Sequence, residues 1–404
     1  MITRLLTLLV SLALIFPVSA SASPPVSIVL RENCPPSFEK MADGACKLVT
    51  LYGFYDSVQG AGLGGTQTSL PQHRDGFTPQ QIDLGRYLFF DPVLSKDGSI
   101  SCASCHHPDR GFSDDLPRSI GVGGEELARA APSLWNVAFL KKFFWDAHAD
   151  TLEAQILSPL YAPNEMGNTP NDLLATINSI PAYHALFKKA YPQREGESIV
   201  LDEIYQSLAG FQASLISLNS RYDRYAHGFH AALSENEVQG LNIFRSFVAR
   251  CAECHTPPLF TNQQIAVIGA PEPEGMAIDV GAQKTFEEPR LKAGFKVPTL
   301  RNIDRTAPYM HSGRFDSLHA VAEFYNGGRG HAVPEGADLQ LHWHISSPEL
   351  TDYELDRLVD FMGTLTDESL KPQIPQWLPS GLTPISHKST THTAIITTKS
   401  GESL

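Results

Sequence analysis

One short pattern, Cys-x-x-Cys-His, occurs twice in this chain of 404 residues and constrains its fold and chemistry more than any other feature. The copies begin at positions 102 and 251. Two thiols at this spacing can add across the vinyl groups of one haem, and the adjacent histidine then becomes the proximal iron ligand. A disulfide, a redox dithiol or a four-cysteine zinc site would use the thiols differently. Two complete copies favour haem, so we predict two covalently bound haem c groups, held by Cys102, Cys105, His106, Cys251, Cys254 and His255.

The first 22 residues have the organisation of a secretory signal peptide. Arg4 is followed by an apolar run over residues 5–16, and small residues allow cleavage after Ala20 or Ala22. No other apolar run is long enough to cross a bilayer, so we expect an exported, periplasmic protein without a membrane span. The formal net charge of −13 and the lack of a basic run argue against a nucleic-acid partner.

The two remaining cysteines predict a disulfide. Cys34 and Cys46 enclose two prolines and a glycine, a composition typical of a closed loop, and disulfides persist in exported proteins. They lie within residues 23–75, a segment rich in Pro, Gly, Ser and Gln without helical periodicity. We interpret this segment as an N-terminal extension without a role in chemistry.

The rest of the chain has helical periodicity, and segments typical of strands are scarce. Ser234 and Glu237 form a capping box ahead of a helix that leads to the second haem motif. Its apolar face is predicted to include Phe244 and Phe247. The pattern therefore predicts an all-α fold.

The order of helices and motifs predicts two tandem units. A second capping box, at Thr351 and Glu354, begins the terminal helix of the second unit. Each unit then consists of a helix, a haem motif, long loops and further helices. We predict two tandem cytochrome c-like haem domains with long loops, at residues 76–225 and 226–378, followed by a disordered tail at 379–404.

Five blocks of sequence around the haem motifs have a recognisable pattern, at residues 84–95, 144–146, 155–167, 297–302 and 308–313. With these blocks the chain resembles the diheme bacterial cytochrome c peroxidases and their MauG-like relatives. The resemblance implies two cytochrome c-like helical domains that face each other. It also implies that one haem cleaves hydrogen peroxide while the other stores or relays electrons.

The resemblance assigns two polar side chains to the distal side of the first haem. Peroxide cleavage needs a group that moves a proton from the inner to the outer oxygen. Glu165 matches the family's catalytic carboxylate, and Gln155 matches the amide that orients the bound peroxide. Without the haem motifs, Glu165 would be interpreted as a solvated loop carboxylate.

The loop after the first motif bears on whether the first iron has an open position. Many members of the family carry a loop histidine that blocks this iron until the enzyme is reduced. Residues 108–147 contain no histidine, and His107 follows His106 too closely to reach the opposite face. We therefore predict a first haem that is five-coordinate or holds only water, and a surface position for His107.

The sixth ligand of the second haem separates two branches of the family. Fourteen residues beyond the position of His311, the peroxidase branch has a Met and the MauG branch a Tyr; here the residue is Tyr325. A phenolate favours higher iron oxidation states and a lower reduction potential than a thioether. The resemblance thus implies Tyr325 as the ligand. Met310 is the competing ligand, and a core tyrosine on a helix capped by Ser317 is the structural alternative.

Two further features of the family concern the region between the haems. Trp145 matches the tryptophan that relays electrons, with a core tryptophan as the alternative. The family also binds calcium there, through an Asn side chain and backbone oxygens. Thr306 and Pro308 match the backbone contributors, whereas Ala130 occupies the Asn position. One hard oxygen ligand is missing, although water or another carboxylate could replace it, so calcium stays open.

These assignments predict a periplasmic diheme c-type oxidoreductase. It uses hydrogen peroxide to form a high-valent haem state and oxidises an unidentified partner protein, as MauG-like enzymes do. A conventional peroxidase would instead reduce peroxide to water with electrons from a small redox protein. A noncatalytic diheme electron carrier is the third alternative, and Glu165, Gln155 and the open first iron argue against it.

Overall fold

The computed structural model describes residues 28–54 and 70–385. The predicted signal peptide at residues 1–22 and residues 386–404 of the predicted tail lie outside this described part. Within it the fold is helical with four three-residue strands, which supports the all-α prediction in outline. The helices are α1 (Pro79–Phe90), α2 (Cys102–Cys105), α3 (Leu152–Tyr161), α4 (Pro170–Asn178), α5 (Pro181–Ala190), α6 (Leu201–Ala213), α7 (Arg221–Ala226), α8 (Glu235–Phe244), α9 (Cys251–Cys254), α10 (Ala282–Phe286), α11 (Leu318–Asn326) and α12 (Asp352–Gly363). The strands form two antiparallel pairs, β1 (Phe38–Lys40) with β2 (Cys46–Leu48) and β3 (Ile265–Val267) with β4 (Gly294–Lys296).

Helix starts follow the capping signals in the sequence. At α8 the Ser234 hydroxyl accepts the N–H of Glu237, and the Glu237 carboxylate accepts the N–H of Ser234 over 2.8 Å. Thr351 and Glu354 make the same reciprocal pair at α12. Both predicted capping boxes are confirmed.

Helix α8 is shorter than predicted. It ends at Phe244, with Arg245 as its C-cap, so Phe247 lies beyond it and is 87% exposed. The prediction that Phe247 shares the apolar face is therefore wrong. The physical reason is that the chain leaves α8 to begin a separate turn of helix at the second haem motif, where Arg250 adopts a left-handed φ of 56°.

The N-terminal helical half, residues 77–215, is built around one crossing of two helices. Its core includes Leu84 and Leu88 of α1 and Leu208 and Phe211 of α6. The helices cross at Gly85, where a Cβ would lie 1.8 Å from the Ser207 carbonyl oxygen. Only glycine allows this approach.

The C-terminal helical half, residues 220–367, repeats this arrangement. Phe244, Phe260, Leu358 and Phe361 form its core. Helix α8 crosses α12 at Gly240, where a Cβ would lie 1.9 Å from the Arg357 carbonyl oxygen. In each half, the helix that precedes the haem motif therefore crosses the last helix of that half through a glycine.

An ion pair lies at the centre of the C-terminal helical half. Arg301 and Asp223 are both fully buried, and two guanidinium nitrogens donate to the two carboxylate oxygens over 2.6 and 2.7 Å. The hydroxyl of Tyr52 also donates to Asp223, which ties the N-terminal extension to this half. Although burial alone would raise it, Arg301 lowers the pKa of Asp223.

The two ends of the described chain both pack on the N-terminal helical half. A disulfide joins Cys34 to Cys46, the pairing that the sequence predicts, and the N–H of Cys46 donates to the Phe77 carbonyl over 2.8 Å. At the other end, the Ser380 hydroxyl donates to Asp91 over 2.7 Å. Residues 379–385 thus make specific contacts at the point where the sequence predicts the start of a disordered tail. None of the helices in the described residues is long and apolar enough to cross a bilayer.

Candidate haem sites

Each Cys-x-x-Cys-His motif forms a turn of helix that ends at its histidine. The N–H of His106 donates to the Cys102 carbonyl over 3.0 Å, and the N–H of His255 donates to the Cys251 carbonyl over 2.8 Å. The cysteines of both motifs are free thiols. Both pairs are therefore available for thioether bonds, which argues against the disulfide interpretation.

Backbone carbonyls orient both predicted proximal histidines. Nδ1 of His106 lies 2.9 Å from the Phe112 oxygen, and Nδ1 of His255 lies 3.1 Å from the Phe260 oxygen and 3.2 Å from the Pro298 oxygen. Because a carbonyl only accepts, Nδ1 carries the proton and Nε2 keeps its lone pair for a metal. Burial lowers the pKa of both imidazoles, which favours the neutral form that ligates iron.

The surroundings of the motifs fit haem better than zinc. Burial raises the pKa of Cys102, Cys105 and Cys251 to about 12, so these side chains are neutral thiols. In the described part of the chain, no group of three or more His, Cys, Asp or Glu side chains could hold a metal ion. The buried indole N–H of Trp135, whose ring packs edge-on against Phe112 at 5.0 Å, has no hydrogen-bond partner among those residues. A haem carboxylate is a polar group of the kind that would complete such a donor.

Glu165 lies in the turn that follows α3. Its N–H donates to the Ala162 carbonyl over 3.0 Å, and its own carbonyl accepts the N–H of Val122 over 2.8 Å. Burial raises the pKa of the Glu165 carboxyl, and its charge acts on Cys105. The structure therefore brings Glu165 near the first haem motif, and its role as the distal carboxylate stays a prediction.

Gln155 lies on α3, the helix that precedes the Glu165 turn, and is partly buried. Its side chain makes no hydrogen bond to any described residue, so the amide is available to a ligand. A cavity of about 450 Å³ opens beside the first motif, lined by Ser104 and Gly121 among others. A Cβ at Gly121 would lie 1.9 Å from the Asn164 oxygen, so this cavity borders the turn that carries Glu165.

His148, which belongs to no motif in the sequence, interacts with Glu165. Its Nδ1 lies 2.5 Å from Asp146 Oδ1, and its ring stacks on Phe144 with centroids 4.0 Å apart. His148 lowers the pKa of Glu165, against the larger raising effect of burial. One feature of the sequence could have drawn attention to His148: it lies three residues beyond Trp145 and is the first histidine after the histidine-free stretch of residues 108–147.

His107 is buried, so the prediction of a surface position is wrong. It is 7% exposed, and its backbone N–H donates to the Ser113 carbonyl over 2.9 Å. The reason is a tight antiparallel bridge between these two residues, which also presents the Phe112 carbonyl to His106. The open position on the first iron stays a prediction.

Tyr325 lies near the second haem motif. It is on α11, which begins at the predicted cap Ser317. Burial raises the pKa of Tyr325, and the charges of Cys251 and Cys254 raise it further. A buried phenol stays neutral unless a cation stabilises its anion, and ferric iron is such a cation.

Met310, the competing ligand, lies in a tight turn. Its φ is 71°, and its carbonyl accepts the N–H of Gly313 over 3.2 Å. The choice between the two ligands remains a prediction.

Trp145 is bonded to both helical halves. Its indole N–H donates to the Ala130 carbonyl over 2.9 Å, and its own carbonyl accepts the N–H of Lys296 over 2.7 Å. Left-handed turns at Phe144 and Ala147, with φ of 65° and 62°, flank it. These turns and hydrogen bonds hold the ring between residues of the two halves.

Short backbone paths lead from the two partners of Trp145 to the proximal histidines. Ala130 accepts the indole N–H of Trp145, and two residues further along the chain the Pro132 carbonyl forms a hydrogen bond with His106. Lys296 donates its N–H to the Trp145 carbonyl, and two residues further along the chain the Pro298 carbonyl accepts from His255 over 3.2 Å. The backbone on either side of Trp145 thus connects to both predicted proximal histidines, and its role as a relay stays a prediction.

The residues at the calcium position implied by the resemblance lack one of the ion's expected oxygen ligands. Ala130 has no side-chain oxygen, its carbonyl accepts from Trp145, and its N–H donates to the His311 carbonyl over 2.8 Å. Thr306 and Pro308, which match the backbone contributors, are joined through Ala307 by a cis peptide bond before Pro308. Calcium takes six to eight oxygen ligands, and position 130 contributes no side-chain oxygen.

Several known proteins are similar to this chain. The sequence profile described as di-haem cytochrome c peroxidase matches residues 79–231. The chain is 36% identical over 302 residues to the methylamine utilization protein MauG of Methylorubrum extorquens, covering 74% of this chain and 82% of that protein. It is 32% identical over 307 residues to the cytochrome c551 peroxidase of Nitrosomonas europaea, covering 75% and 86%.

Solved structures agree with these sequence relatives. A MauG-like protein associated with microbial copper homeostasis aligns with a TM-score of 0.67 and 30% identity, covering 75% of this chain and 95% of that one. The diheme peroxidase BthA of Burkholderia thailandensis aligns with a TM-score of 0.62 and 25% identity, covering 89% and 99%. This chain therefore belongs to the diheme cytochrome c peroxidase and MauG family of haem enzymes.

Proposed function

We propose that this chain is a periplasmic diheme oxidoreductase that uses hydrogen peroxide to oxidise a partner protein, in the manner of MauG. Two tandem cytochrome c-like domains each hold one covalent haem c, and the boundary between them lies just before α7 rather than at residue 225, because Tyr222 and Ala226 of α7 belong to the second core. The glycine crossings at Gly85 and Gly240 support this division, because they repeat one helix pairing around each motif. The signal-peptide pattern of residues 1–22 supports export.

The two motifs and the turn after α3 supply the parts of a peroxide site. Cys102, Cys105 and His106 hold the first haem; when bound, that haem supplies an iron that can take peroxide and store oxidising equivalents. The Glu165 carboxylate takes the proton of one peroxide oxygen and returns it to the other, which leaves as water. Gln155 orients the peroxide through its free amide. Reduction of one peroxide to two waters takes up two electrons and two protons, so the partner must supply two electrons.

The observation that carries the MauG-like proposal is the position of Tyr325 beside Cys251 and Cys254. Those cysteines and His255 hold the second haem. A phenolate ligand lowers the potential of its iron and favours storage of an oxidising equivalent there. Trp145, bonded to both halves, then serves as the relay between the two haems.

A conventional peroxidase that takes electrons from a small redox protein is the second candidate. The 32% identity to a cytochrome c551 peroxidase favours it, and Met310 would then be the second-haem ligand. A noncatalytic electron carrier is disfavoured, because it has no use for a buried carboxyl such as Glu165 at the first motif.

Redox titration of the second haem separates the two enzyme candidates. Tyr325→Met should raise the potential of the second haem and leave the first unchanged, whereas Met310→Leu, the matched control, should shift neither. Both haems should remain attached in both variants. A shift in Met310→Leu alone would assign this protein to the conventional peroxidases.

A further inference from the structure

We propose that Arg129 replaces a calcium ion between the two helical halves, so that the alignment of Trp145 in this chain does not depend on calcium. The proposal rests on the proposed relay function of Trp145. It follows from two observations: position 130 is Ala and offers no side-chain oxygen, and the ion pair of the neighbouring Arg129 already joins the two halves.

Arg129 joins the two halves through a branched ion pair. Its Nε and Nη2 donate to the two oxygens of Asp279 over 2.7 and 3.0 Å, and its Nη1 donates to Asp146 over 2.8 Å. Asp146 follows Trp145 directly, whereas Asp279 belongs to the C-terminal helical half. The three side chains are between 12% and 22% exposed, so solvent screens these contacts less than it screens a surface pair.

All three groups are held in their charged forms. Burial alone would raise the pKa of both aspartates, but hydrogen bonds from His148 and Arg129 lower that of Asp146 to about 2. Hydrogen bonds from Arg129 and the Gly281 N–H likewise lower the pKa of Asp279. The pKa of Arg129 is raised by both carboxylates, against the effect of burial. The ion pair therefore persists across the physiological pH range.

No carboxylate oxygen of this ion pair is left for a metal. One oxygen of Asp146 accepts from Arg129 and the other lies against His148. Both oxygens of Asp279 accept from Arg129, and one also accepts the N–H of Gly281 over 2.8 Å. These carboxylates therefore cannot replace the oxygen ligand that is missing at position 130 without giving up a contact of the ion pair.

The same network reaches the segment that packs beside Trp145. Glu272 accepts the N–H of Asp279 over 3.1 Å and lies 2.9 Å from Nε2 of His311. The His311 ring stacks on Phe295 with centroids 3.8 Å apart, and the Arg129 guanidinium lies 5.5 Å from the centroid of that ring. The backbone next to Arg129 bonds to both His311 and Trp145. Arg129 is therefore a positioning residue, because it fixes the groups around Trp145 without contacting a predicted haem ligand.

The first test needs no variant and no turnover. The purified diheme protein is treated with a chelator, dialysed and titrated calorimetrically with calcium chloride, and its unfolding temperature is measured with calcium or with chelator. The proposal predicts no calcium binding and no shift in unfolding temperature. Binding at micromolar calcium, or a lower unfolding temperature in chelator, would overturn it.

The second test separates positioning from general stability. Arg129→Gln should leave the reaction of the first haem with peroxide unchanged and slow the spectral response of the second haem by about tenfold or more. Arg129→Lys should recover part of that rate, since lysine keeps the positive charge but cannot bind both oxygens of Asp279 at once as the guanidinium does. Arg290→Gln, which removes an exposed arginine from its pair with Glu288, is the matched control. Equal second-haem rates in Arg129→Gln and Arg290→Gln would overturn the inference. A wild-type second haem that never responds contradicts the proposed function, and the calcium titration still decides the replacement of calcium by Arg129.

Discussion

The indole N–H of Trp145 donates to the carbonyl of Ala130 over 2.9 Å. The N–H of Ala130 in turn donates to the His311 carbonyl of the other half, and the Trp145 carbonyl accepts from Lys296. Neither half can therefore shift relative to Trp145 without breaking a hydrogen bond to the ring or to its backbone. This arrangement gives an electron relay a fixed geometry.

Haem attachment is testable by mass. Replacing both Cys102 and Cys105 with Ala should remove one haem and leave the other, because each motif supplies its own pair of thiols. Mass spectrometry of the intact protein measures the loss. The control, in which Cys34 and Cys46 are both replaced, should keep two haems. Retention of two haems by the first variant would contradict the attachment.

Glu165 should govern the rate of peroxide cleavage. Glu165→Gln keeps the size of the side chain but removes its proton transfer, which is worth about 10²–10⁴-fold. Stopped-flow absorbance should show a slowing of that order, with both haems and the ferric spectrum retained. Glu349→Gln, at an exposed carboxylate, should react like the wild type. An unchanged rate in Glu165→Gln would remove Glu165 from the mechanism.

The pH profile should report the environment of Glu165. Burial raises its pKa, so the base form that accepts the peroxide proton is lost as the pH falls through a value above that of an ordinary glutamate. His148 lowers this pKa, so His148→Gln should move the acid limb to higher pH. His230→Gln, at an exposed histidine, should leave the limb in place. A limb that His148→Gln moves to lower pH, or not at all, would exclude this interaction.

The buried pair of Arg301 and Asp223 predicts a large effect on stability. Asp223→Asn leaves the guanidinium buried without its counter-charge, and breaking such a pair costs about 3–5 kcal/mol. Because the folded pKa of Asp223 is depressed, its contribution is present at neutral pH and is lost as the pH falls through that folded value. Urea unfolding at pH 7 measures the loss. Glu288→Gln, in an exposed pair, should change the free energy of unfolding little.

Local patterns in the sequence predicted the local parts of the site. The capping boxes at Ser234 and Thr351 appear as expected, because each depends on neighbours within a few residues. The pairing of Arg129 with Asp279, 150 positions away, depends on how the two halves meet, and no local pattern encodes it. The burial of His107 and the exposure of Phe247 were missed for a related reason, since each depends on where the chain leaves a helix or turns back.

The helix crossings were also missed, although a signal existed. Gly85 and Gly240 each interrupt a helical apolar pattern, and an isolated glycine in a helix often marks a close backbone approach. The partner backbones, at Ser207 and Arg357, are more than a hundred residues away along the chain. The glycines alone therefore indicate that another backbone segment packs closely against the helix, but they do not identify that segment.

The central claim is that the first haem accepts peroxide in the resting, fully oxidised protein and that Tyr325 and Trp145 let the second haem share the oxidising equivalents. Stopped-flow mixing of the fully ferric diheme protein with one equivalent of hydrogen peroxide, without any electron donor, tests this directly. The account predicts an immediate change in the absorption of both haems. No change until one electron per protein is first supplied would contradict it.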